Sequence, residues 1–342
     1  MPEMTRMLDP LDALVQGAST DVIRIGFAVP TSGQLGLTAP GAINSGILAA
    51  NRINAAGGIG GKRVELVTID AGRAPSIVAA GVDELIAAGA IHAVCGYHTS
   101  DVLRQTEKVT AGRVPYVFTA PHEGGKRRSG VVMLGNSPRR QLAPVVSFFG
   151  GSRSLQRWAL VGNDYIWPWA MHATAEEMLR QQGTEIVLRE ELPFGTLDPE
   201  SLIERIARSR AQAILLSLVG RDLATFNRAF RESKLADRVL RVSGALEETG
   251  LLEVGGDTSG ELYSTMHWFA GADGDDEFSS AYHARWGAGA PPPSAYAQGC
   301  FEGIRYLGES LSPDRKALPK RARPVGAVSK LARADGLSFS LV

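Results

Sequence analysis

Cysteine is scarce in this chain: Cys95 and Cys300 are the only two in 342 residues. Two are too few for a disulfide scaffold or a cysteine-based metal site, so each is expected to be a small buried hydrophobe. Excess charge of one sign is missing as well, because Lys plus Arg and Asp plus Glu both total 36. A neutral chain lacks the electrostatic footprint that nucleic acid selects for, and no direct nucleic-acid contact is expected. Two local basic clusters, Lys126 to Arg128 and Arg315 to Arg323, carry no interleaved aromatic residues for base stacking and read as solvated loop charge. No run approaches the roughly 20 apolar residues of a membrane span. The first twenty residues, with Glu3, Asp9, Pro10 and Asp12, never form the uninterrupted apolar stretch of a secretory leader. That points to the cytoplasm, with a periplasmic or other extracytoplasmic location as the alternative if a native leader was removed.

Catalytic signatures are missing too. Gly57 to Gly61 follows a helix-like run and precedes a strand-like one, the reverse of a phosphate-binding glycine loop. Neither Gly-x-x-x-x-Gly-Lys-Ser/Thr nor Gly-x-Ser-x-Gly occurs. The histidines, His92, His98, His122, His172, His267 and His283, fall in no metal-ligand spacing. Glu190 with Glu191, and Glu247 with Glu248, are neighbouring carboxylates that should point different ways, which suits solvated faces better than an acid/base pair. The expectation is therefore a protein that is not an enzyme, with no catalytic residue, metal or cofactor.

What is present is an ordinary globular composition, 44% hydrophobic and 21% charged, over a length that suits two domains. Ile23, Ile25, Phe27 and Val29 alternate as a strand does, and Ile43, Ile47, Ala50 and Ile53 follow at helical spacing. The strand Val64 to Ile69, helix Ser76 to Ala88, strand Ile91 to Val94, helix Ser100 to Ala111 and strand Pro115 to Thr119 continue the rhythm. It restarts at Trp158, with helices over Ala170 to Gln181, after an Asp198 cap, and over Leu223 to Ser233. The strands of this second part are Glu185 to Leu188, Ala213 to Leu218, Val239 to Val242 and Glu261 to Met266. Such alternation predicts an α/β fold of two doubly wound parallel-sheet lobes joined by a hinge. Pro121 to Pro138 reads as the crossover or hinge. Helices near Phe278 to Trp286 and Ser294 to Leu307 must pack back onto the earlier units.

Ligands of parallel sheets bind beyond the carboxyl ends of strands. Residues Val161 to Pro168 form one such exit and place Tyr165 and Trp167 there, with flat apolar faces, one hydroxyl and one indole N–H. Plugging the core is the alternative role for that pair. A second exit carries Tyr97, Thr99 and Ser100, of which one hydroxyl is expected to cap the following helix and the other to face a ligand. A third carries Phe118, Thr119 and Ala120. Together these residues have the composition of a small-ligand site.

Asn54 to Leu66, with its Gly-Gly-Ile-Gly-Gly, resembles the type I periplasmic-binding-protein or leucine-binding fold. Gly162 to Pro168, with Glu191 to Asp198, resembles the amide and urea branch within it, and the similarity runs from about residue 22 to 310. The resemblance implies lobes of residues 20–138 plus about 268–320, and 139–267 plus about 321–342. In the amide sensors of that branch the ligand is met by a Tyr-x-Ser segment, a Tyr-Pro-Thr segment and an Asp-Tyr-x-Tyr-Pro loop. Here the first becomes Tyr97 and Thr99, the second Phe118 and Ala120, and in the third Tyr165 is retained while Trp167 replaces a tyrosine. The implied function is a cytoplasmic sensor that closes over a small amide or urea-like ligand and signals to an antiterminator-type regulatory protein. The alternative is the substrate-binding protein of an ABC importer for amide, urea or branched-chain amino acid, with a permease as partner. Glu248 would then meet an amino acid's ammonium group. Either reading leaves room for a homodimer.

Overall fold

The computed structural model describes residues 5–152, 155–271, 276–313 and 329–342. The chain opens with β1 (Met7–Leu8), α1 (Pro10–Gln16), β2 (Val22–Val29), α2 (Ala39–Ala55), β3 (Arg63–Asp70) and α3 (Pro75–Ala87). Next come β4 (Ala93–Gly96), α4 (Ser100–Thr110), β5 (Tyr116–Phe118) and β6 (Val131–Met133). A second series follows: α5 (Pro138–Ser152), β7 (Arg157–Asn163), α6 (Ile166–Arg180), β8 (Glu185–Leu192), α7 (Pro199–Ser209) and β9 (Ala213–Ser217). It continues through α8 (Gly220–Arg231), β10 (Leu240–Ser243), α9 (Glu248–Val254) and β11 (Leu262–Met266). The last elements are α10 (Glu277–Trp286), α11 (Ala295–Ser310), β12 (Lys330–Asp335) and β13 (Ser338–Leu341).

Two compact units emerge. The first gathers the described residues of 1–120, 125–135 and 275–325, and the second those of 121–124, 136–274 and 326–342. In the first unit the sheet order is β1-β3-β2-β4-β5-β6, with every pairing parallel. Ile25, Phe27, Leu66, Val94 and Val117 bury its centre, and α11 packs beside α2. At the end of β4, Gly96 has φ +151°, and an added Cβ would lie 1.9 Å from the Ala28 carbonyl oxygen. Only glycine permits that turn out of the sheet.

The second sheet has the order β13-β12-β11-β10-β9-β7-β8. Its strands from β11 to β8 are parallel, whereas β12 runs antiparallel to both β11 and β13. The architecture is thus α/β with two mainly parallel sheets. Helix starts follow local chemistry: Asp198 accepts the Ser201 amide at 3.1 Å, and Pro199 occupies the first turn, where its missing N–H costs nothing.

Several elements depart from the sequence reading. The Pro121 to Pro138 segment is not all crossover, since β6 pairs with β5 and extends the first sheet. Helix α5 forms despite the internal Pro144. The β12–β13 hairpin turns at Gly336, with φ +61°, and adds an antiparallel edge that the βαβ rhythm does not announce. In the first basic cluster Lys126 and Arg128 are exposed, but the Arg127 side chain is buried beside Glu107 at 3.9 Å. The Arg315 to Arg323 cluster lies outside the described residues. Both cysteines are buried, which pushes their thiol pKa values up, that of Cys300 to about 12. None of the described helices is long and apolar enough to cross a membrane.

Candidate functional site

In the first unit the register sets Ala28, Gly96 and Phe118 side by side, so the exits of β2, β4 and β5 share one edge of the sheet. Tyr97 leaves β4 fully buried, its ring stacked on Tyr296 of α11 at 4.7 Å. Its hydroxyl lies 2.5 Å from Thr38 Oγ1, whose own hydrogen goes to the Leu35 carbonyl at 2.7 Å, so Tyr97 is the donor of that pair. Thr99 is half-buried at the N-cap position of α4, yet its side chain makes no capping bond. Ser100 is the first helical residue and is buried. The expected division, one hydroxyl capping and one free, therefore fails for Thr99: it holds the cap position without the cap bond.

Phe118, Thr119 and Ala120 are all buried. The Thr119 hydroxyl donates to the Gly96 carbonyl at 3.2 Å and is used within the fold. Asp70, at the end of β3, was not singled out by sequence. Its carboxylate accepts the Thr31 amide at 3.0 Å, the Ser32 amide at 3.1 Å, the Ser32 hydroxyl at 2.6 Å and the Gly72 amide at 3.0 Å. Burial alone would raise its pKa; the hydrogen bonds from Ser32, Gly72 and Thr31 outweigh that and hold it below the usual value.

In the second unit Gly162 pairs with Ser217, and Ser243 with Leu216 and Ser264, so β7, β9, β10 and β11 end close to one level. The Asn163 side chain joins two exits, donating to Asp222 at 2.7 Å and accepting the Val219 amide at 2.9 Å. Helix α6 begins at Ile166, before Pro168, with Tyr165 at its N-cap and Trp167 in its first turn. A Cβ on Gly162 would lie 2.9 Å from Pro168 Cβ and 3.1 Å from both His172 Nε2 and Ser217 Cβ, so glycine lets that first turn sit against β7.

The Tyr165 ring lies 5.1 Å from Phe194 and 6.4 Å from Trp167. Trp167 is 3% exposed, and its indole Nε1 has no hydrogen-bond partner. Gln141 of α5 donates through Nε2 to the carbonyls of Gly244 and Thr265 at 2.9 and 3.2 Å, while its Oε1 is unpartnered. The Ser217 hydroxyl is likewise buried and unpartnered. His172 is fully buried 3.4 Å from Glu191, and burial pushes its pKa down to about 4.

Glu247 and Glu248 overturn the expectation of solvated faces, because both are buried. Glu247 caps α9, accepting the Thr249 and Gly250 amides at 2.9 and 2.8 Å. Glu248 Oε1 accepts the Ala270 amide at 2.7 Å and fastens the β10 exit to the segment after β11. Glu190 and Glu191 are half-buried and paired with Arg205 and Arg189.

Tyr97, Thr99, Ser100, Phe118, Thr119 and Ala120 thus gather at the strand ends of the first unit, and Tyr165, Trp167 and Glu248 at those of the second. Sequence reasoning missed Thr38, Asp70, Tyr296 and Gln141. Thr38 and Tyr296 carry no local signal, since each acts through Tyr97 from a distant part of the chain. Asp70 was signalled by its place at a strand exit.

A family model described as periplasmic binding protein matches residues 22–322. Similar solved structures include the branched-chain amino acid transporter substrate binding protein LivJ from Streptococcus pneumoniae in complex with isoleucine. It is 16% identical, with a TM-score of 0.76, over 94% of this chain and 99% of that one. A solute binding protein of an ABC transporter from R. palustris, in complex with benzoate, is 14% identical with a TM-score of 0.75, covering 94% and 95% of the two chains. A fatty acid ABC transporter substrate-binding protein from Thermomonospora curvata is 12% identical with a TM-score of 0.80, covering 99% and 94%. At such identities the likeness establishes the fold, and the family match covers most of the chain. The chain belongs to the periplasmic binding protein family and has its type I, leucine-binding-like fold.

Proposed function

We propose that this chain is the substrate-binding protein of an ABC importer, working outside the cytoplasm and delivering a small ligand unaltered to a permease. The sequence alone put a cytoplasmic amide sensor first. The transport receptors among similar structures favour the reverse order. A ligand held at the strand ends favours whichever conformation of the chain contacts it most fully and shifts the population toward that state.

The observation that carries this reading is the Trp167 indole N–H, buried at a strand exit without a partner. A buried donor left unmade costs about 1–3 kcal/mol, which a ligand acceptor would offset. Tyr165 stands beside it and Phe194 beside Tyr165 as apolar walls within the second unit, and in the first unit the Thr99 hydroxyl, unused as a cap, offers a polar contact of its own. Glu248 accepts from a ligand donor. A small molecule with an acceptor end and a donor end fits these groups: an amide, a urea or an amino acid.

A thermal-shift screen of amides, ureas and branched-chain amino acids tests this, because a ligand selective for the folded state raises the melting temperature. At least one class is expected to raise it in proportion to the logarithm of concentration. If an amino acid binds, Glu248→Gln weakens it far more than the matching amide, since only the ammonium group loses a countercharge. A flat response across all three classes removes the ligand assignment.

A further inference from the structure

His98 lies between Tyr97 and Thr99, is buried, and has no part in the ligand contacts proposed above. Its Nδ1 is 3.0 Å from the Thr99 carbonyl oxygen and its Nε2 is 2.6 Å from the Tyr116 hydroxyl. A carbonyl oxygen only accepts, so Nδ1 carries the hydrogen. A neutral ring then has a bare Nε2, and Tyr116 donates to it. Geometry alone therefore fixes the tautomer and both bond directions.

One imidazole in this way ties the β4 exit to β5. Tyr116 is itself held by the sheet, its amide donating to the Gly130 carbonyl at 2.9 Å. The Phe118 ring packs 5.1 Å from the imidazole and limits its rotation. The Thr99 carbonyl also accepts the Leu103 amide at 3.1 Å, the first bond of α4. It is thus oriented from two sides, by its own helix and by His98. The Thr99 side chain makes no capping bond that would do the same work.

We infer that His98 is a positioning residue: through Nδ1–H on the Thr99 carbonyl, braced by Tyr116, it sets where the Thr99 hydroxyl and the start of α4 stand. Its consequence for binding rests on the proposed role of Thr99, whereas the placement of Thr99 does not. Burial keeps the ring neutral, pushing its pKa down to about 4 against the opposing effects of the Thr99 bond and the nearby Asp101 carboxylate.

The test uses the full chain with isoleucine and acetamide as probes. His98→Asn places an amide nitrogen near the Nδ1 position and forgoes Tyr116, whereas His98→Gln places its amide near Nε2 and forgoes the Thr99 carbonyl. With 15N-labelled histidine, His98 is expected in the Nδ1–H form; an Nε2–H form overturns the inference. With 15N-labelled threonine, the Thr99 amide resonance moves in His98→Gln and stays near its wild-type position in His98→Asn. Calorimetry is expected to show a Kd about tenfold weaker for His98→Gln and within about threefold for His98→Asn, tenfold being 1.4 kcal/mol. Equal effects of the two variants, with the Thr99 resonance unmoved in both, mean that the ring only fills space and contradict the inference. If neither probe binds wild type, the ligand reading fails by itself and the Thr99 resonance still decides the positioning role. Should His98→Gln not fold, Tyr116→Phe takes its place, with a shifted Thr99 resonance expected and an unchanged one contradictory.

Discussion

The strand ends of the two units treat their polar atoms differently. In the first unit most bond to one another, Tyr97 to Thr38, Thr38 to Leu35, Thr119 to Gly96, His98 to Tyr116 and Thr99, and Asp70 to four donors, although Gln34 Oε1 beyond β2 is buried without a partner. In the second, Asn163, Glu247 and Glu248 are bonded in the same way, but Trp167 Nε1, Gln141 Oε1 and the Ser217 hydroxyl are buried with no partner. An unmade buried bond is costly, so the open valences in the second unit are what the proposed ligand reading draws on.

The hardest blow to the first face is Gly96→Ala. Its Cβ would meet the Ala28 carbonyl oxygen at 1.9 Å, so a loss on the order of 4 kcal/mol or more is expected in denaturant unfolding. A loss under about 1 kcal/mol would mean that the β4 exit is pliable. On the second face, Tyr165→Ala removes an aromatic wall and should cost on the order of 2 kcal/mol in ligand affinity by calorimetry, with cooperative unfolding retained. Unchanged affinity would take Tyr165 out of the site.

Much of the frame behind this contrast was readable in the sequence. Alternating Ile23, Ile25, Phe27 and Val29 announce β2, a central strand buried on both faces from Arg24 onward, and the helix-spaced Ile43, Ile47 and Ala50 announce α2. The cap at Asp198 and the aromatic exit at Tyr165 and Trp167 are local signals, and the chain obeys them. What escaped is nonlocal. The Tyr296 ring meets Tyr97 across 199 residues, and no spacing rule links them. Glu247 and Glu248 look like surface charge until the two amides at the start of α9 and that of Ala270 are seen to claim them. The β12–β13 hairpin breaks a parallel rhythm, and Pro144 masks a helix whose other signals are ordinary.

Thr38→Val deletes the acceptor for the Tyr97 hydroxyl and should lower stability by about 1–2 kcal/mol without direct ligand contact. Equal melting of variant and wild type would show that Tyr97 finds another partner. Acid is expected to act in two steps. His98 and His172 have folded pKa values near 4, below the unfolded value near 6.5, so their contribution is intact above 6.5 and is lost as pH falls toward 4. Asp70, whose pKa is depressed, contributes above its unfolded value near 3.8 and loses that only at still lower pH. Urea midpoints from pH 7 to pH 4 should therefore decline in wild type and decline less in His172→Gln. Parallel curves would contradict the assignment of His172 as a buried neutral ring.

The most direct measurement is the indole 1H–15N resonance of Trp167 in 15N-tryptophan-labelled protein, titrated with acetamide, urea and isoleucine. A saturable downfield shift with one of them, absent in Trp167→Phe, is the predicted result, since a ligand acceptor then completes the bond the fold leaves open. If a ligand binds by calorimetry and that resonance does not move, the unmet donor is not what the ligand satisfies, and the contrast between the two faces loses its functional meaning.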